Sequence, residues 1–284
     1  MLTTSFEMLQ KAYEGHYAVP AINTQGGTYD IIRAICMAAE DLKSPIILAH
    51  YVSTGEYSGH DWFFETARWM AEKVSVPVAV HLDHGDSFER CMEMLKIGFT
   101  SIMYDGSAYP VEENARRTEE VGKVCRAFGV PLEAEIGELA RLDDQGRAMG
   151  CSNIADPEVV RQYLTLCRPD SLAIGIGNAH GFYKGPVDIR VEVLEECRKF
   201  TDIPFVLHGC TGMDEGLIRR AINAGVAKIN FGTQIRCQYV EYLKEGLAEG
   251  KDEGHAWKLS RFAEEKLRGD IRDIIRLAGS EGKA

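Results

Sequence analysis

Two histidines and an aspartate lie together at the end of a short apolar segment. The apolar residues are Val78-Ala79-Val80, and His81, Asp83 and His84 follow them. Imidazole and carboxylate groups bind metal ions and transfer protons, so these residues could serve either chemistry. A short apolar run is typical of a buried parallel strand, and α/β proteins place active sites at the carboxyl ends of such strands. We therefore expect a site here, with His81 and Asp83 on one face and His84 at the point where the chain leaves the strand.

The rest of the chain repeats this pattern of a short apolar strand followed by an amphipathic helix. The predicted strand segments are 17–23, 44–50, 78–84, 100–106, 130–137, 171–177, 204–208 and 227–232. Eight such units favour an α/β fold of the (β/α)8 TIM-barrel type, which is usually about 250 residues long. An open doubly wound sheet is the alternative, although its glycine-rich phosphate fingerprint is missing after the first strand. We expect residues 1–284 to form a single barrel domain, with an additional C-terminal helix at about 255–277.

All strands of a parallel barrel end at the same mouth, so their last residues describe one site. The residues at these ends are Asn23, His50, Asp83, His84, Asp105, Glu135, His180, His208, Asn230 and Gly232. A single histidine is more often a hydrogen-bonded core residue, whereas histidines that arrive on separate segments favour a metal site. Three imidazoles with an open coordination position are typical of catalytic zinc, and the candidate ligands are His84, His180 and His208.

Carboxylates near this cluster have more than one interpretation. Asp105 and Glu135 are candidates for alternative metal ligands, or for groups that orient the histidine ligands. Glu133 or Glu135 could instead pair with a nearby base such as Arg141, because two unpaired carboxylates in a barrel interior would be unfavourable. The sequence leaves these interpretations open.

Glycine-threonine turns follow the last two predicted strands. Barrel enzymes often bind phosphate with these two loops and a helix N-terminus. Here Gly209-Cys210-Thr211-Gly212 follows strand seven and Gly232-Thr233 follows strand eight, while Gly181 and Lys184 could complete the site. Glycines let backbone amides approach an anion, and threonine hydroxyls add donors. Most such turns are only turns, but two of them in these loops favour phosphate binding.

The bulk composition limits the possible partners. The chain has 284 residues and a net charge of −11 at pH 7, which argues against a nucleic-acid partner but allows a small anionic substrate. Its 8 cysteines include no CxxC pair, a pattern typical of free thiols in a reducing cytosol. We find no signal-peptide pattern and no apolar run long enough to cross a bilayer, so we expect a cytoplasmic protein without a membrane partner.

Five short motifs occur in order along the chain. They are His81-Leu82-Asp83-His84, Asp105-Gly106-Ser107, Glu133-Ala134-Glu135, Gly177-Asn178-Ala179-His180-Gly181 and Leu207-His208-Gly209. Together they resemble the class II, metal-dependent ketose-bisphosphate aldolases, in the fructose- and tagatose-bisphosphate branch, over nearly the whole chain. The resemblance implies a zinc-dependent (β/α)8 barrel with one catalytic ion per subunit, assembled as a homodimer or homotetramer, and leaves a monovalent cation open. Such enzymes cleave a ketose phosphate to dihydroxyacetone phosphate and an aldehyde.

The same resemblance implies roles for individual residues. His84, His180 and His208 match the zinc ligands, and Asp83 matches the acid/base that acts on the C4 hydroxyl. Asp105 and Glu135 match positions near an alternative metal site. The positions that match those holding the C1 phosphate and the dihydroxyacetone end are Gly181, Lys184, Gly209, Thr211, Asn230 and Thr233.

Two further matches concern proton transfer and the distal end of the substrate. Asp143, or equally Asp144, falls near the family's mobile glutamate, which moves the C3 proton. Arg261 resembles an arginine that reaches the site of a neighbouring subunit and meets the far anion of the substrate. Both roles are implied by the resemblance alone.

The chain also departs from the family pattern around the pocket. Thr211 replaces a serine and keeps its hydroxyl. Gly232 stands where the fructose branch has an aspartate and the tagatose branch a small residue. His50-Tyr51 replaces smaller residues at the end of strand two and would reshape the pocket for the aldehyde half. The distal group of the substrate could therefore be phosphate, sulfonate, carboxylate or hydroxyl.

Three other functions are compatible with parts of the pattern. A Schiff-base aldolase needs a desolvated lysine in the barrel, and Lys228 is the candidate, although a lysine at a strand start is expected to be solvated. A metal-dependent barrel hydrolase usually needs a His-x-His pair on an early strand, which is missing. A metal-stabilised scaffold without catalysis is the third alternative.

Overall fold

A closed barrel of parallel strands forms the centre of the molecule. The structure, a computed structural model, describes residues 1–138, 140–142, 148–149, 154–183 and 188–284. Its strands are β1 (Val19–Asn23), β2 (Ile46–Tyr51), β3 (Val78–Gly85), β4 (Ser101–Tyr104), β5 (Leu132–Ile136), β6 (Ala140–Leu142), β7 (Ala148–Met149), β8 (Ser171–Ile174), β9 (Ala179–His180), β10 (Phe205–Leu207) and β11 (Val226–Phe231). The barrel order is β1-β11-β10-β8-β5-β4-β3-β2, closing back on β1. The predicted (β/α)8 architecture is confirmed.

Helices surround this barrel and connect its strands. They are α1 (Ser5–Glu14), α2 (Tyr29–Asp41), α3 (Val52–Ser58), α4 (His60–Ala71), α5 (Phe88–Ile97), α6 (Val111–Phe128), α7 (Pro157–Leu166), α8 (Val191–Cys197), α9 (Glu215–Asn223), α10 (Thr233–Ala248) and α11 (Ala256–Ala278). Sequence signals fix several helix starts. Ser87 accepts a hydrogen bond from the Arg90 amide at the start of α5, and Asp156 caps α7 in front of Pro157.

Helix α1 covers the amino-terminal end of the barrel and was not predicted from the sequence. Its residues Met8 and Leu9 pack in one apolar cluster with Val19, Ile47 and Ala79, which lie at the starts of β1, β2 and β3. Apolar packing therefore closes this end of the barrel. The strand-end residues that could do chemistry lie at the opposite end.

A small second sheet lies beside the barrel strands. Strand β6 pairs antiparallel with β7 and parallel with β9, so that Arg141 is opposite His180. This sheet was not predicted from the sequence, because strands of two or three residues are too short to show an alternating pattern. This sheet joins the segment after β5 to the segment that carries His180.

The C-terminal helix is present as α11, within one residue of the predicted bounds at each end. It packs against α2 and α10 through buried residues such as Leu267, Ile271 and Ile274. Within the residues described, no helix combines the length and the apolar character that crossing a membrane requires.

Candidate active site

A β-bulge at the end of β3 turns two adjacent side chains toward the same cavity. Alternation would place Asp83 and His84 on opposite faces of the strand. The pairing of β3 with β4 shifts register between Leu82 and Gly85, and His84 has a left-handed backbone with φ of 54°. Both side chains consequently line one cavity. His84, expected where the chain leaves the strand, lies in the bulge at the end of β3, which continues to Gly85.

The three predicted histidine ligands meet at this end of the barrel. His84 comes from β3, His180 from β9 and His208 from the residue after β10. Their candidate ligand atoms all lie within 4.8 Å of one another. The ring centroids of His84 are 4.8 Å from those of His208 and 5.1 Å from those of His180. Three segments far apart in sequence therefore bring their imidazoles within reach of a single ion.

Asp105 orients the His84 ring. The Nδ1 atom of His84 lies 2.7 Å from Oδ2 of Asp105, whose other oxygen accepts a hydrogen bond from the Ser107 hydroxyl at 2.6 Å. The remaining ring nitrogen, Nε2, is buried and has no hydrogen-bond partner among the described residues. Burial opposes the charged form of His84, but the hydrogen bond to Asp105 and the charge of Asp83 raise its pKa to about 10. Because Nδ1 is engaged with Asp105, Nε2 is the nitrogen that a metal ion could bind, and binding there would displace a proton from the ring.

Hydrogen bonds also orient the His208 ring, but here Nδ1 and not Nε2 is the nitrogen that faces the cluster. Its Nε2 atom lies 2.9 Å from Oε1 of Glu133, a carboxylate oxygen that can only accept. The Asn230 amide nitrogen lies 3.2 Å from Nδ1 of His208 and donates to it. Both contacts require a proton on Nε2 and a lone pair on Nδ1. His208 can therefore present Nδ1 as its ligand atom, and a metal ion bound there would take the place of the Asn230 hydrogen bond.

The donor set fits a divalent metal ion. Three imidazoles from separate segments match the ligation of catalytic zinc sites, which keep a further position open. His84, Asp105 and Glu135 form a second group whose candidate ligand atoms also lie within 4.8 Å of one another. Burial and the charge of Asp105 raise the pKa of Glu135 to about 8, and its Oε2 atom has no hydrogen-bond partner among the described residues. A cation at this cluster would satisfy buried atoms that the described protein groups leave unsatisfied.

Most of the predicted site residues line one cavity of about 500 Å³ at the barrel mouth. The predicted residues in its wall are Asn23, Asp83, His84, Asp105, Glu135, His180, Gly181, His208, Gly209, Thr211, Asn230, Gly232 and Thr233. Asp143, Asp144 and Lys184 lie outside the described residues, as does the side chain of Arg141. The wall thus combines metal-ligand chemistry with the turns predicted to bind phosphate.

Arg261 does not reach this cavity within its own chain. Its side chain is exposed on α11 and forms an ion pair with Glu265, with 2.8 Å between Nε and Oε1. The role at the site of a neighbouring subunit stays a prediction.

His50 was expected at the barrel mouth, and this was wrong. Its neighbours in β2, Ala49 and Tyr51, line the cavity, whereas His50 points the other way and stacks on Phe63 with ring centroids 3.9 Å apart. His50 Nε2 lies 2.8 Å from Nδ1 of His60, and burial together with the charge of His60 lowers the pKa of His50 to about 3. The substitution that bears on the pocket is therefore Tyr51 alone.

Comparison with known proteins assigns the family. A sequence model described as fructose-bisphosphate aldolase class-II matches residues 3–283. The chain belongs to this family. It is 37% identical over 289 residues to a probable fructose-bisphosphate aldolase of Bacillus subtilis (strain 168), covering 100% of this chain and 99% of the relative. It is 36% identical over 289 residues to the fructose-bisphosphate aldolase of Geobacillus stearothermophilus, again covering 100% and 99%.

A solved structure agrees with this assignment. The X-ray crystal structure of the YdjI aldolase from Escherichia coli K12 matches with a TM-score of 0.87 and 30% identity, and the match covers 100% of both chains. The chain is therefore an enzyme, an aldolase of the class II type that acts as a carbon–carbon lyase, as the five motifs predicted. The family is generally metal-dependent and acts on sugar phosphates.

In this aldolase, the segments that carry His180 and His208 are joined by hydrogen bonds between side chains and backbone, and by one close approach of their backbones. The Tyr183 hydroxyl lies 2.8 Å from the Ala179 amide, which donates to it, and 2.9 Å from the Gly209 carbonyl. Gly209 has a φ of 69°, and a Cβ atom there would lie 2.3 Å from the Ala179 carbonyl oxygen. Asn178 adds a hydrogen bond of 2.9 Å to the His208 carbonyl. The positions of the two ligands are therefore coupled.

Sequence reasoning missed several residues in the cavity wall. They are Gln25, Thr54, Ser107, Glu138 and Arg236, apart from the apolar positions Ala21, Ala49, Ala108 and Phe231. Arg236 supplies the single Lys or Arg side chain among the described residues of the wall. Its position was available from the sequence, because residues three apart on a helix share a face and Arg236 follows Thr233 on α10 by three.

Proposed function

We propose that this aldolase uses a zinc ion held by His84, His180 and His208. It would cleave a ketose 1-phosphate, or a 1,6-bisphosphate or 6-substituted analogue such as a sulfo- or carboxy-sugar phosphate, reversibly to dihydroxyacetone phosphate and an aldehyde. The observation that carries the proposal is the meeting of three imidazole donors with the carboxylate of Asp83 in the wall of one cavity. Breaking the C3–C4 bond of a ketose leaves negative charge beside a ketone. Zinc bound by neutral imidazoles supplies Lewis acidity toward such charge when it is present.

Asp83 is proposed as the base that takes the proton of the C4 hydroxyl and returns it in the condensation direction. Its Oδ1 atom accepts a hydrogen bond of 3.2 Å from the Asn230 amide. Burial opposes ionisation of Asp83, but the charge of His84 lowers its pKa below the usual value. A carboxylate of this kind is ionised and ready to accept a proton. Protonation of C3 is assigned to Asp143 or Asp144, as the family resemblance implies.

The loops after β10 and β11 are proposed to bind the C1 phosphate, together with Gly181 and Lys184. Thr211 and Thr233 line the cavity, and the Thr211 hydroxyl accepts a hydrogen bond of 3.3 Å from the backbone amide of Gln234. Thr233 is also the first residue of the 16-residue helix α10, whose N-terminus favours an anion. Binding of this remote group contributes orientation and binding energy at the reacting bond.

The distal end of the substrate is proposed to be anionic. Arg236 in the cavity wall favours a negative group there, and Arg261 from a neighbouring subunit would add a second cation, which requires a homodimer or homotetramer. Gly232 supplies no carboxylate toward this end. A cytoplasmic location accompanies this proposal, since the cysteines found free are Cys36, Cys91, Cys125, Cys167, Cys197, Cys210 and Cys237.

The Schiff-base alternative is disfavoured by the surroundings of Lys228. The expectation of a solvated lysine was wrong, since Lys228 is 1% exposed and its Nζ atom lies 2.7 Å from Oε2 of Glu133. A Schiff-base lysine must reach a substrate carbonyl as a free amine. Lys228 is instead ion-paired and does not line the cavity.

Two measurements on the purified protein test this function. Dihydroxyacetone phosphate release is assayed on a panel of ketose 1-phosphates that differ at C4 and at C6, before and after chelation. We expect chelation to abolish activity and zinc to restore it, and a C6 anion to lower KM. Full activity after complete removal of divalent metal, or trapping of the protein on substrate by borohydride, would contradict the proposal.

A further inference from the structure

A buried polar layer lies inside the barrel directly below the catalytic residues. His81, Glu133 and Lys228 are 1–2% exposed, and each precedes by two positions a residue that lines the cavity, namely Asp83, Glu135 and Asn230. Barrel interiors are usually filled by Val, Ile and Leu. A buried ion pair is often no more stabilising than apolar residues of the same size, because both charges lose their hydration. The layer therefore points to a role other than stability.

Hydrogen bonds connect this layer to one of the histidine ligands. The Nζ atom of Lys228 lies 2.7 Å from Oε2 of Glu133 and 3.2 Å from Nε2 of His81. His81 is itself fixed by a contact of 2.7 Å between its Nδ1 atom and the Ser101 hydroxyl. The other oxygen of Glu133, Oε1, lies 2.9 Å from Nε2 of His208. Lys228 thus contacts the Glu133 carboxylate, which in turn contacts the histidine ligand His208.

We infer that Lys228 is a positioning residue for the metal site. The ammonium holds one oxygen of Glu133, so the other oxygen stays aimed at His208 and accepts its Nε2 proton. That hydrogen bond fixes both the ring plane and the tautomer of His208, and it leaves on Nδ1 a lone pair that a metal ion can take in place of the Asn230 hydrogen bond. The inference rests on the proposed function, because it takes His208 to be a metal ligand.

The surroundings of Glu133 explain why a cation is needed at position 228. Besides His208, Lys228 is the hydrogen-bonding partner of the Glu133 carboxylate among the described residues. A buried carboxylate that loses its cation is strongly unfavourable, so in a Lys228→Met variant we expect the Glu133 side chain to leave this position. A glutamine needs no cation and keeps a carbonyl that can accept from His208. The double variant Lys228→Met/Glu133→Gln should therefore restore the orientation of the ring.

The test measures zinc affinity and the His208 tautomer instead of activity. Zinc dissociation constants are determined by competition with a chromophoric chelator for wild type, Lys228→Met, Glu133→Gln and the double variant. We expect Lys228→Met to weaken zinc binding by about 10- to 100-fold, the usual loss for a group that orients a ligand, and the double variant to recover most of it. In the metal-free proteins, ¹⁵N NMR should show Nε2–H for His208 in wild type and in the double variant, and a shift toward Nδ1–H in Lys228→Met.

Several outcomes would overturn the inference. Wild-type zinc affinity in Lys228→Met does so, and so does equal weakening in Lys228→Met and the double variant with an unchanged tautomer. If Lys228→Met does not fold, the comparison of Glu133→Gln with the double variant decides. Tighter binding in the double variant supports the inference, because the glutamine amide no longer faces an ammonium, and equal binding overturns it. A wild-type protein that binds no divalent metal contradicts the proposed function, and the tautomers then still decide whether Lys228 orients His208.

Discussion

The two sides of the active-site cavity are held in place by different means. On one side, Asp83, His84, Asp105 and Glu135 stand on or directly after three adjacent barrel strands, and hydrogen bonds between side chains orient the first three. On the other side, the turns around Gly209 and Thr211 are held through their backbone, by a hydrogen bond from the Tyr183 hydroxyl to the Gly209 carbonyl and by the close approach of Gly209 to the Ala179 backbone. Groups that must keep a fixed geometry for chemistry are best placed on strands, whereas loops can change shape to suit a ligand.

This contrast separates reaction from recognition. Changes on the strand side should alter turnover, because they act on groups close to the reacting bond. Changes on the loop side should alter stability, metal affinity or KM, depending on how closely the backbones approach. The variants below test this division, from the largest expected effect to the smallest.

The strand side is tested first by Asp83→Asn. The substitution removes the proposed base but keeps an oxygen that can accept from the Asn230 amide, now 3.2 Å away from Oδ1. We expect kcat to fall by about 10²- to 10⁴-fold, the usual contribution of a positioned base, with unchanged zinc content. Metal analysis of the purified variant is the control. A kcat within a few-fold of wild type would remove Asp83 from its role.

The loop side is tested by comparing Gly209→Ala with Gly212→Ala. Both glycines have left-handed backbones, with φ of 69° and 73°, so alanine should cost about 1–2 kcal/mol at either position. At Gly209 the new Cβ would meet the Ala179 backbone oxygen at 2.3 Å, whereas at Gly212 no atom of the described residues would lie nearer to it than 3.7 Å. We expect Gly209→Ala to lower the free energy of unfolding by about 1–3 kcal/mol more than the control, and to weaken zinc binding.

Denaturant unfolding and chelator competition measure both quantities in parallel. The effect on zinc is expected because Ala179 precedes His180, so the loop cannot move without moving a ligand. Equal stability of the two alanine variants would mean that the loops can move apart at little cost in free energy. The close approach of Gly209 to Ala179 would then not fix the positions of His180 and His208.

The sequence predicted the barrel and the three histidines because both depend on local patterns. Each strand is a short apolar run, and each histidine follows such a run directly. It did not predict that Asp83 and His84 face the same way, because a bulge breaks the alternation on which such reasoning depends. His50 was misplaced for a related reason. The predicted strand ended at residue 50, whereas β2 ends at Tyr51. Because side chains alternate along a strand, this error of one residue assigned His50 to the face that Tyr51 occupies.

Partners of buried charged groups were the other limit of sequence reasoning. Lys228 lies 95 positions from Glu133 in the chain and was expected in solvent, yet the barrel brings the two side chains together. Nothing in the local sequence of either strand signals this pairing. The cover of the barrel by α1 was missed likewise, because the apolar face of that helix is defined only by the barrel residues that it contacts.

A smaller effect is expected for Arg236→Met. Arg236 lies at the exposed rim, so we expect it to bind the end of the substrate that projects from the cavity. KM should rise by about fivefold to tenfold for substrates with an anionic C6 group, as a partly solvated charge-assisted hydrogen bond would give. Arg276→Met, on the exposed end of α11, is the matched control. An equal rise for substrates with a neutral C6 group would assign Arg236 to the C1 phosphate instead.

The smallest effect is expected at Gly232, although it faces the same cavity as Gly209. Its φ of −129° suits any residue, and a Cβ atom would meet only the Asn23 Cβ atom, at 3.5 Å. Gly232→Ala should therefore change the free energy of unfolding by no more than about 0.5 kcal/mol. The added methyl group enters the cavity, so KM values should shift between substrates while kcat for the best substrate is retained. Thermal unfolding together with the ketose panel measures both. A large loss of stability would show that this turn, like the one at Gly209, is held by close packing.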